Sequence, residues 1–357
     1  MHVSRKLYSW LAHKKRKSAK LLNLFVKKEI ELPAIRFTFV GVRGCGKTSL
    51  MASMYRQLEE HDIDGLQAAP ATVSVLQRAL AHMREMLERA PLQSVISDKT
   101  LQGTGARNDF TFFSRPKVRA SVMGFPAKEY IMHCPFVFTD MPGGWYSAES
   151  NHDEEVERIL ERSSVSFLTI DAPSLMEGSR IHERRNQPTV IRNWYQKCAR
   201  VLTGRHTVII VLTRCEKYLH DTGLKYQLTQ KIREEYEPLV NILRLNNINF
   251  HATFVETLGG LEFEHFQQDE IGNLLDCFRI TGEYTPQNCA MPLILALKHG
   301  VESMNIHVRQ EADEIFSKIC AYMGVSEAAL QEQALNKLKA QMEVLHAEAS
   351  DSSEFEF

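Results

Sequence analysis

The sequence lacks paired cysteines, a long apolar run and a secretion signal. Its seven cysteines are scattered with no Cys-x-x-Cys pair, a pattern that argues against a disulfide framework or a zinc site and favours a reducing compartment. No apolar run approaches the roughly 20 residues that span a bilayer, and no apolar core with a small-residue cleavage site opens the chain. We therefore expect a cytoplasmic protein.

An excess of either charge is also missing, since 43 Lys and Arg face 44 Asp and Glu. This balance leaves no overall field that would attract nucleic acid. The exception is residues 1–32, where nine basic residues precede Glu29 and apolar residues recur at near-helical spacing. We expect a basic helical arm there. Three interpretations stay open: a helix packed on the main domain, an arm that binds an acidic partner or peripherally an anionic membrane surface, and a nucleic-acid contact.

Apolar segments alternate with amphipathic segments through most of the chain. Strands are predicted over residues 34–42, 131–139, 165–170, 207–212 and 249–255, and helices after residue 48 and over residues 71–89, 224–245, 290–323 and 327–346. This alternation is typical of an α/β doubly wound fold with a mainly parallel sheet and its ligand at the carboxyl ends of the strands. We expect residues 33–325 to form this domain, and residues 326–357 to form a C-terminal helix and an acidic tail.

A glycine-rich segment after the first of these strands carries the strongest functional signal. Residues 41–48 form G-x-x-G-x-G-K-T between a predicted strand and a predicted helix, as in a P-loop. Glycines let consecutive backbone N–H groups surround a phosphate, and the helix N-terminus adds partial positive charge. We expect Lys47 to bridge the β- and γ-phosphates and Thr48 to ligate Mg²⁺. The predicted nucleotide contacts on this loop are Gly41, Gly44, Cys45, Gly46, Lys47, Thr48 and Ser49.

A second motif ends the next strongly apolar strand, where residues 136–144 are FVFTDMPGG. Asp140 is expected to take a Mg²⁺-bound water, and the Gly143 N–H is expected to reach the γ-phosphate. Loss of that phosphate would then release the loop. The pattern D-x-x-G is weak alone, but its place after a P-loop strengthens it. Together the motifs predict a Mg²⁺-dependent nucleotide switch.

With both motifs present, residues 34–323 resemble translation-factor-related P-loop GTPases. Within that class they are most similar to bacterial double-GTPase-like domains linked to conflict and defence systems. The resemblance depends on GVRGCGKTSLMASMYRQL, on DMPGGWYS, and on FLTIDAPS at residues 167–174. It implies a regulatory GTP switch with partner docking at its two switch loops and a second GTPase copy nearby. This chain has one P-loop, so nucleotide-dependent pairing with another subunit is a hypothesis.

The resemblance places the guanine-recognition sequence, Asn/Thr-Lys-x-Asp, at residues 213–216, which are Thr213, Arg214, Cys215 and Glu216. A carboxylate at Glu216 accepts both guanine N–H donors, and the Arg214 stem covers the base. Glutamate is one methylene longer than aspartate, so ATP stays open beside GTP. Residues 256–259 are a candidate for a last base-contacting loop, with an ordinary turn as the alternative.

The resemblance also implies a magnesium-binding threonine in a long switch I insertion before the Asp140 strand. Thr100, Thr104 and Thr111 are candidates, and Thr104 is favoured because its glycine-flanked loop precedes a predicted edge strand. No further feature of the sequence separates the three.

Hydrolysis is expected to be slow. Related GTPases place a water-orienting side chain after the switch glycine, where this chain has Gly144. Arg43 as an arginine finger in cis and Glu149 from the switch loop are candidate substitutes. Two other functions stay open: an ATP-hydrolysing effector or assembly factor of the same fold, and a scaffold whose nucleotide site is structural.

Overall fold

The computed structural model describes residues 29–60, 66–89, 91–98, 106–120, 128–146, 151–202, 206–270, 272, 274–311, 327–349 and 354–357. Residues 1–28 of the predicted arm lie outside this part of the chain. None of the helices in the described ranges is long and apolar enough to cross a membrane.

Each of the five predicted strands overlaps an observed strand, and the predicted helices are observed wherever the structure describes them. Residues 312–323 of the predicted helix at 290–323 lie outside the described residues. Residues 29–31 of the predicted helical arm form a strand instead of a helix. The strands are β1 (Glu29–Glu31), β2 (Ile35–Val40), β3 (Gln67–Ala68), β4 (Val95–Asp98), β5 (Asn108–Ser114), β6 (Lys117–Ala120), β7 (Lys128–Asp140), β8 (Val165–Asp171), β9 (Thr207–Thr213), β10 (Asn249–Phe254), β11 (Leu261–Gln268) and β12 (Leu274–Ile280). The helices are α1 (Lys47–Glu60), α2 (Pro70–Glu88), α3 (Asp153–Glu161), α4 (Ala172–Met176), α5 (Ser179–Arg185), α6 (Pro188–Cys198), α7 (Glu216–Leu219), α8 (Thr222–Leu245), α9 (Ala290–Glu311) and α10 (Glu327–Ala349), with a 3₁₀ helix at Gly143–Tyr146.

The central sheet has the strand order β10-β9-β8-β2-β7-β5-β3. From β10 to β7 the strands are parallel, whereas β5 and β3 are antiparallel to their neighbours. The 13-residue strand β7 extends beyond β2, and its first half pairs with β1 and β6. The predicted α/β fold with a mainly parallel sheet is therefore confirmed.

The direction of winding reverses at β2, because the chain adds β7 on one side of β2 and then β8 on the other. In open α/β sheets, ligands bind outside the carboxyl ends of the strands at such a reversal. The glycine-rich segment follows β2 directly, so the fold places it at this point.

Helices cover both faces of the sheet, because neighbouring residues of the central strands point to opposite sides. One buried cluster holds Phe167 and Ile209 with apolar residues of α1, α2, α9 and α10. The other holds Leu168 and Ile210 with apolar residues of α3, α4, α6, α7 and α8. The predicted C-terminal helix is thus part of the first core, through Leu335 among others.

A second, three-stranded antiparallel sheet has the order β11-β12-β4 and was not predicted from the sequence. Strand β4 comes from the long insertion between α2 and β5, and its last residue, Asp98, pairs with Asp276 of β12. Phe263 and Phe278 of this sheet join the first core. Segments far apart in the chain therefore form one small sheet on the main domain.

The described end of the predicted acidic tail, residues 354–357, packs on the sheet. The Phe355 N–H donates to the Ala252 carbonyl at 3.1 Å, and the Phe355 ring stacks on Phe254 with centroids 4.3 Å apart. Arg233 Nη2 donates to the Glu356 carbonyl at 2.6 Å. These contacts cover the outer edge of β10, since the two phenylalanines of the tail find apolar partners there.

Candidate functional site

The predicted phosphate loop, residues 41–48, lies between the end of β2 and the start of α1. Gly41, Gly44 and Gly46 have φ angles of 152°, 83° and 88°, a region that favours glycine because a side chain would clash with the backbone. Lys47 is the first residue of α1. The helix N-terminus therefore faces the loop, as the predicted anion site requires.

The Lys47 ammonium lies inside the loop. Its Nζ donates to the Gly41 carbonyl at 2.8 Å and to the Val42 carbonyl at 3.1 Å, and the side chain is buried. These bonds close the loop around the charge. Ser49 follows on the first turn of α1, where its carbonyl accepts the Ser53 hydroxyl at 2.8 Å.

Thr48 and Asp140 meet across the two predicted motifs. The Thr48 hydroxyl donates to Asp140 Oδ2 at 2.9 Å, and Asp140 is fully buried. Asp140 ends β7, the neighbour of β2, while Thr48 is the second residue of α1. The fold thus brings together the two oxygen donors that the sequence assigned to magnesium.

Gly143 lies against the phosphate loop. A Cβ atom at this position would lie 2.0 Å from Arg43 N and 2.3 Å from the Val42 carbonyl carbon, whereas at Gly144 it would meet no atom of the described residues within 4 Å. Only glycine permits the backbone at position 143 to come this close to the backbone of Val42 and Arg43. Gly143 and the loop backbone are therefore in direct contact.

Tyr146 anchors the 3₁₀ helix that begins at Gly143. Its hydroxyl donates to the Phe39 carbonyl at 3.3 Å, and its ring packs edge-on against Trp194. Sequence reasoning missed this anchor, although an aromatic residue close after a switch glycine was a visible signal. Glu149, the candidate that was to swing in from the switch, lies outside the described residues.

Thr213 and Cys45 connect the loop to the neighbouring strand ends. The Thr213 hydroxyl donates to the Cys45 carbonyl at 2.8 Å and to the Ile170 carbonyl at 3.2 Å. The Cys45 thiol lies 3.3 Å from the Thr169 hydroxyl and is buried. These contacts attach the loop to the ends of β8 and β9, which gives both residues a structural role.

Arg214 is held by two aspartates at the predicted base-recognition position. Its Nε donates to Asp171 Oδ1 at 2.6 Å, its Nη2 contacts the same oxygen, and its Nη1 donates to Asp276 Oδ2 at 3.0 Å. Burial alone would lower the pKa of Arg214, but the two carboxylates raise it above its ordinary value. The guanidinium is fixed by this network, and sequence reasoning gave no hint of Asp276.

Glu216 is buried with its carboxyl group only partly satisfied. Its Oε1 accepts the Leu258 N–H at 2.6 Å, while Oε2 has no hydrogen-bond partner among the described residues. Burial raises the pKa of Glu216 to about 8; the Leu258 bond and Arg214 oppose this rise, and Glu256 adds to it. The carboxyl group is therefore mainly protonated at neutral pH. Through Leu258, the candidate loop at residues 256–259 lies against it.

The switch I candidates are only partly placed. Thr100 and Thr104 lie outside the described residues. Thr111 pairs with Val137, whereas Asn108 pairs with Asp140. Thr111 is three residues along β5 from Asn108, the residue paired with Asp140, which corresponds to about 10 Å along the strand. Strand β5 therefore holds Thr111 away from the Thr48 and Asp140 pair.

Arg43 is an exposed residue of the predicted phosphate loop. Among the described residues it forms no hydrogen bond or ion pair. Its position leaves the guanidinium free to turn toward a bound phosphate or toward solvent.

No protein-family model matches the chain, and no curated protein matches it either. Similar solved structures include the S. cerevisiae Ski7 GTPase-like domain bound to GTP, with 14% identity over 64% of this chain and 44% of that chain and a TM-score of 0.31. The same domain bound to GDP and inorganic phosphate matches with 14% identity over 71% of this chain and 47% of that chain and a TM-score of 0.34. This chain spans less than half of those chains. Both scores are low, so a functional inference depends on the residues of the site.

Proposed function

We propose that this protein is a nucleotide switch that binds GTP with Mg²⁺ and hydrolyses it slowly. The observation that carries the proposal is the 2.9 Å hydrogen bond between the Thr48 hydroxyl and the Asp140 carboxylate. It joins the residue after the P-loop lysine to the carboxylate at the end of the adjacent strand. Hydroxyl and carboxylate oxygens are ligands that Mg²⁺ takes together with phosphate oxygens and water.

The residues present fit a Mg²⁺ ion. Thr48 and the buried Asp140 would hold it, either directly or through water, and it would neutralise charge at the phosphates. Lys47 would exchange its bonds to the loop carbonyls for phosphate oxygens. The exchange costs little, because an ammonium has three donors and each can rotate toward a new acceptor.

The contact between Gly143 and the Val42–Arg43 backbone supports a switch. A phosphate that enters beside this backbone changes the packing of Gly143, and Tyr146 limits how far that change extends along the 3₁₀ helix. A protein partner that docks at this segment would then distinguish the triphosphate from the diphosphate state. The regulatory role is proposed on this basis.

A second candidate, an ATP-hydrolysing protein of the same fold, is favoured by the state of Glu216. An ionised carboxylate offers two acceptors, which suits the N1–H and N2–H₂ donors of guanine. A protonated carboxyl offers one donor and one acceptor, which suits the N1 and N6–H₂ groups of adenine as well. The pKa of about 8 therefore weakens discrimination against ATP at neutral pH.

The test is a titration of the purified full chain with fluorescent GTP, GDP, ATP and ADP, with Mg²⁺ or with a chelator. We expect GTP with Mg²⁺ to bind most tightly. Thr48→Val should lose the Mg²⁺ dependence, whereas the matched variant Thr48→Ser keeps a hydroxyl and should retain it.

Each other outcome has a distinct meaning. Absence of binding to every purine triphosphate in Mg²⁺ would reject the nucleotide site. A preference for ATP would favour the second candidate. Equal binding of triphosphate and diphosphate without turnover would indicate a structural nucleotide in a scaffold.

A further inference from the structure

Arg185 is a half-buried cation beside the candidate site, and none of the sequence motifs includes it. It is the last residue of α5, and its side chain is 17% exposed. Its Nη2 donates to both carboxylate oxygens of Asp276, at 2.8 and 3.0 Å, and its guanidinium lies over the Phe266 ring at 5.2 Å. An ion pair and an aromatic ring together fix the direction of the guanidinium.

The fixed guanidinium faces the phosphate loop at Gly44. Among the described residues, Arg185 Nη2, at 4.0 Å, is the only heavy atom within 4 Å of a Cβ atom placed at Gly44, apart from its chain neighbours. In this part of the structure, the space beside Gly44 is therefore open and has one positive charge next to it. The amides of such a loop surround the α- and β-phosphates of a nucleotide, and Gly44 is in the middle of the loop.

Arg185 retains donors for a ligand. Every hydrogen bond that it makes among the described residues comes from Nη2, which leaves Nη1 and Nε. Burial alone would raise the pKa of Asp276, but Arg214 and Arg185 lower it, so this carboxylate stays ionised. Asp276 is shared between two arginines, and it neutralises Arg185 only in part.

We infer that Arg185 is a further nucleotide-binding residue, which contacts the α- and β-phosphates on the Gly44 side of the loop and is oriented by Asp276. The inference rests on the proposed function. A guanidinium suits this place because its planar fork forms charge-assisted bonds to phosphate oxygens while it keeps its bond to Asp276. The contact does not involve the γ-phosphate, so Arg185 stabilises the diphosphate and triphosphate states alike.

The orientation of Arg185 depends on the second, three-stranded sheet. Asp276 lies on β12, and β12 pairs with β4 from the long insertion. The sheet therefore orients Arg185, and through it contributes to phosphate binding without touching the nucleotide. Loss of Asp276 should act as a positioning defect, weaker than loss of Arg185 itself.

The experiment compares Arg185→Gln with Arg184→Gln, its exposed neighbour on the same helix. The probes are GDP, a non-hydrolysable GTP analogue, inorganic pyrophosphate as a competitor, and guanosine. Arg185→Gln should weaken GDP and the GTP analogue equally, by about tenfold to a hundredfold. It should also weaken pyrophosphate and leave guanosine unchanged. Arg184→Gln should leave all four unchanged, and Arg185→Lys should be intermediate because it keeps the charge without the fork.

The outcomes separate this inference from the proposed function. Unchanged binding of GDP and pyrophosphate by a folded Arg185→Gln variant overturns the assignment of Arg185 alone. A loss of guanosine binding equal to that of GDP would indicate a structural role and also overturns it. If the wild-type protein binds none of the phosphate ligands, both the inference and the proposed function are rejected.

Discussion

The candidate site has a predicted phosphate end, residues 41–48, and a predicted base end, residues 213–216. Different kinds of contact hold the two ends together. At the phosphate end, glycines and one lysine within eight consecutive residues close a loop on their own carbonyls, through the bonds from Lys47 to Gly41 and Val42. At the base end, Arg214 depends on Asp171 and Asp276, which lie 43 and 62 residues away in sequence. A short backbone motif can be recognised in a sequence, whereas a side-chain network assembled by the fold cannot.

The largest effect is expected from Lys47→Ala, which removes the charge at the phosphate end. Hydrogen bonds to charged groups contribute about 1.5–3 kcal/mol each, so triphosphate affinity should fall by about a hundredfold or more. Lys217→Ala is the matched control at the base end, where the ammonium lies 5.9 Å from the Phe263 ring. Its effect should stay below about tenfold. Equal losses in fluorescence titrations would remove the distinction between the two ends.

A second contrast lies within the phosphate end, between Gly143→Ala and Gly144→Ala. The first places a methyl group against the loop backbone and the second places it in open space. Overpacking costs about 1–3 kcal/mol, so Gly143→Ala should lower the thermal unfolding temperature and the preference for triphosphate over diphosphate. Gly144→Ala should change neither. Indistinguishable variants in calorimetry and nucleotide titration would contradict the contact.

Glu216→Gln tests the base end through its pH dependence. The folded protein keeps the Glu216 proton up to pH about 8, while the unfolded chain loses it near 4.5. The folded state therefore binds more protons between these values, and the contribution of Glu216 to stability falls as pH rises, by at most about 1.4 kcal/mol per pH unit.

Glutamine cannot titrate, so Glu216→Gln should become more stable relative to wild type as pH rises from 5 to 9. Burial also raises the pKa of Glu256, while His220 lowers it. Because Glu256 is present in both proteins, the stability of the variant should still depend on pH, but less steeply than that of the wild type. Denaturant unfolding at several pH values measures the difference. Parallel curves for the two proteins would show that Glu216 does not titrate in this range.

The smallest effect is expected from Arg43→Ala. Because Arg43 is exposed, its contribution to the transition state should be screened, and single-turnover hydrolysis should slow by less than about tenfold with nucleotide affinity unchanged. Arg36→Ala, which removes an exposed arginine from β2, is the control. An unchanged rate would exclude Arg43 from the mechanism.

Much of the fold was predictable because its signals are local. The buried residues of α1, such as Leu50 and Met54, recur at helical spacing. The strands β8 and β9 are mainly apolar and are buried along their whole length. The small sheet escaped prediction because β4 has four residues and the alternating β11 ends in exposed polar residues. The strand that pairs with β4 is β12, which lies far from β4 in sequence.

The candidate site likewise contains residues that sequence motifs predicted and contacts that only the folded chain creates. Thr48 and Asp140 were assigned from motif position, and the structure brings them together. The bond from the Leu258 N–H to Glu216 and the bond from Arg185 to Asp276 depend on how distant loops fold back. No spacing rule relates those residues, so sequence alone left them unconnected.

The pairing of Asp98 with Asp276 also constrains how the chain folds. Six of the nine strands of the central sheet lie between these two residues in sequence. Closing that loop before the sheet has formed would cost much entropy with few contacts in return. We therefore expect β4 to join β12 late, on a core that is already assembled. This order implies a refolding intermediate in which the parallel sheet has already formed. In that intermediate, the amide hydrogens of β12 would still exchange rapidly with solvent.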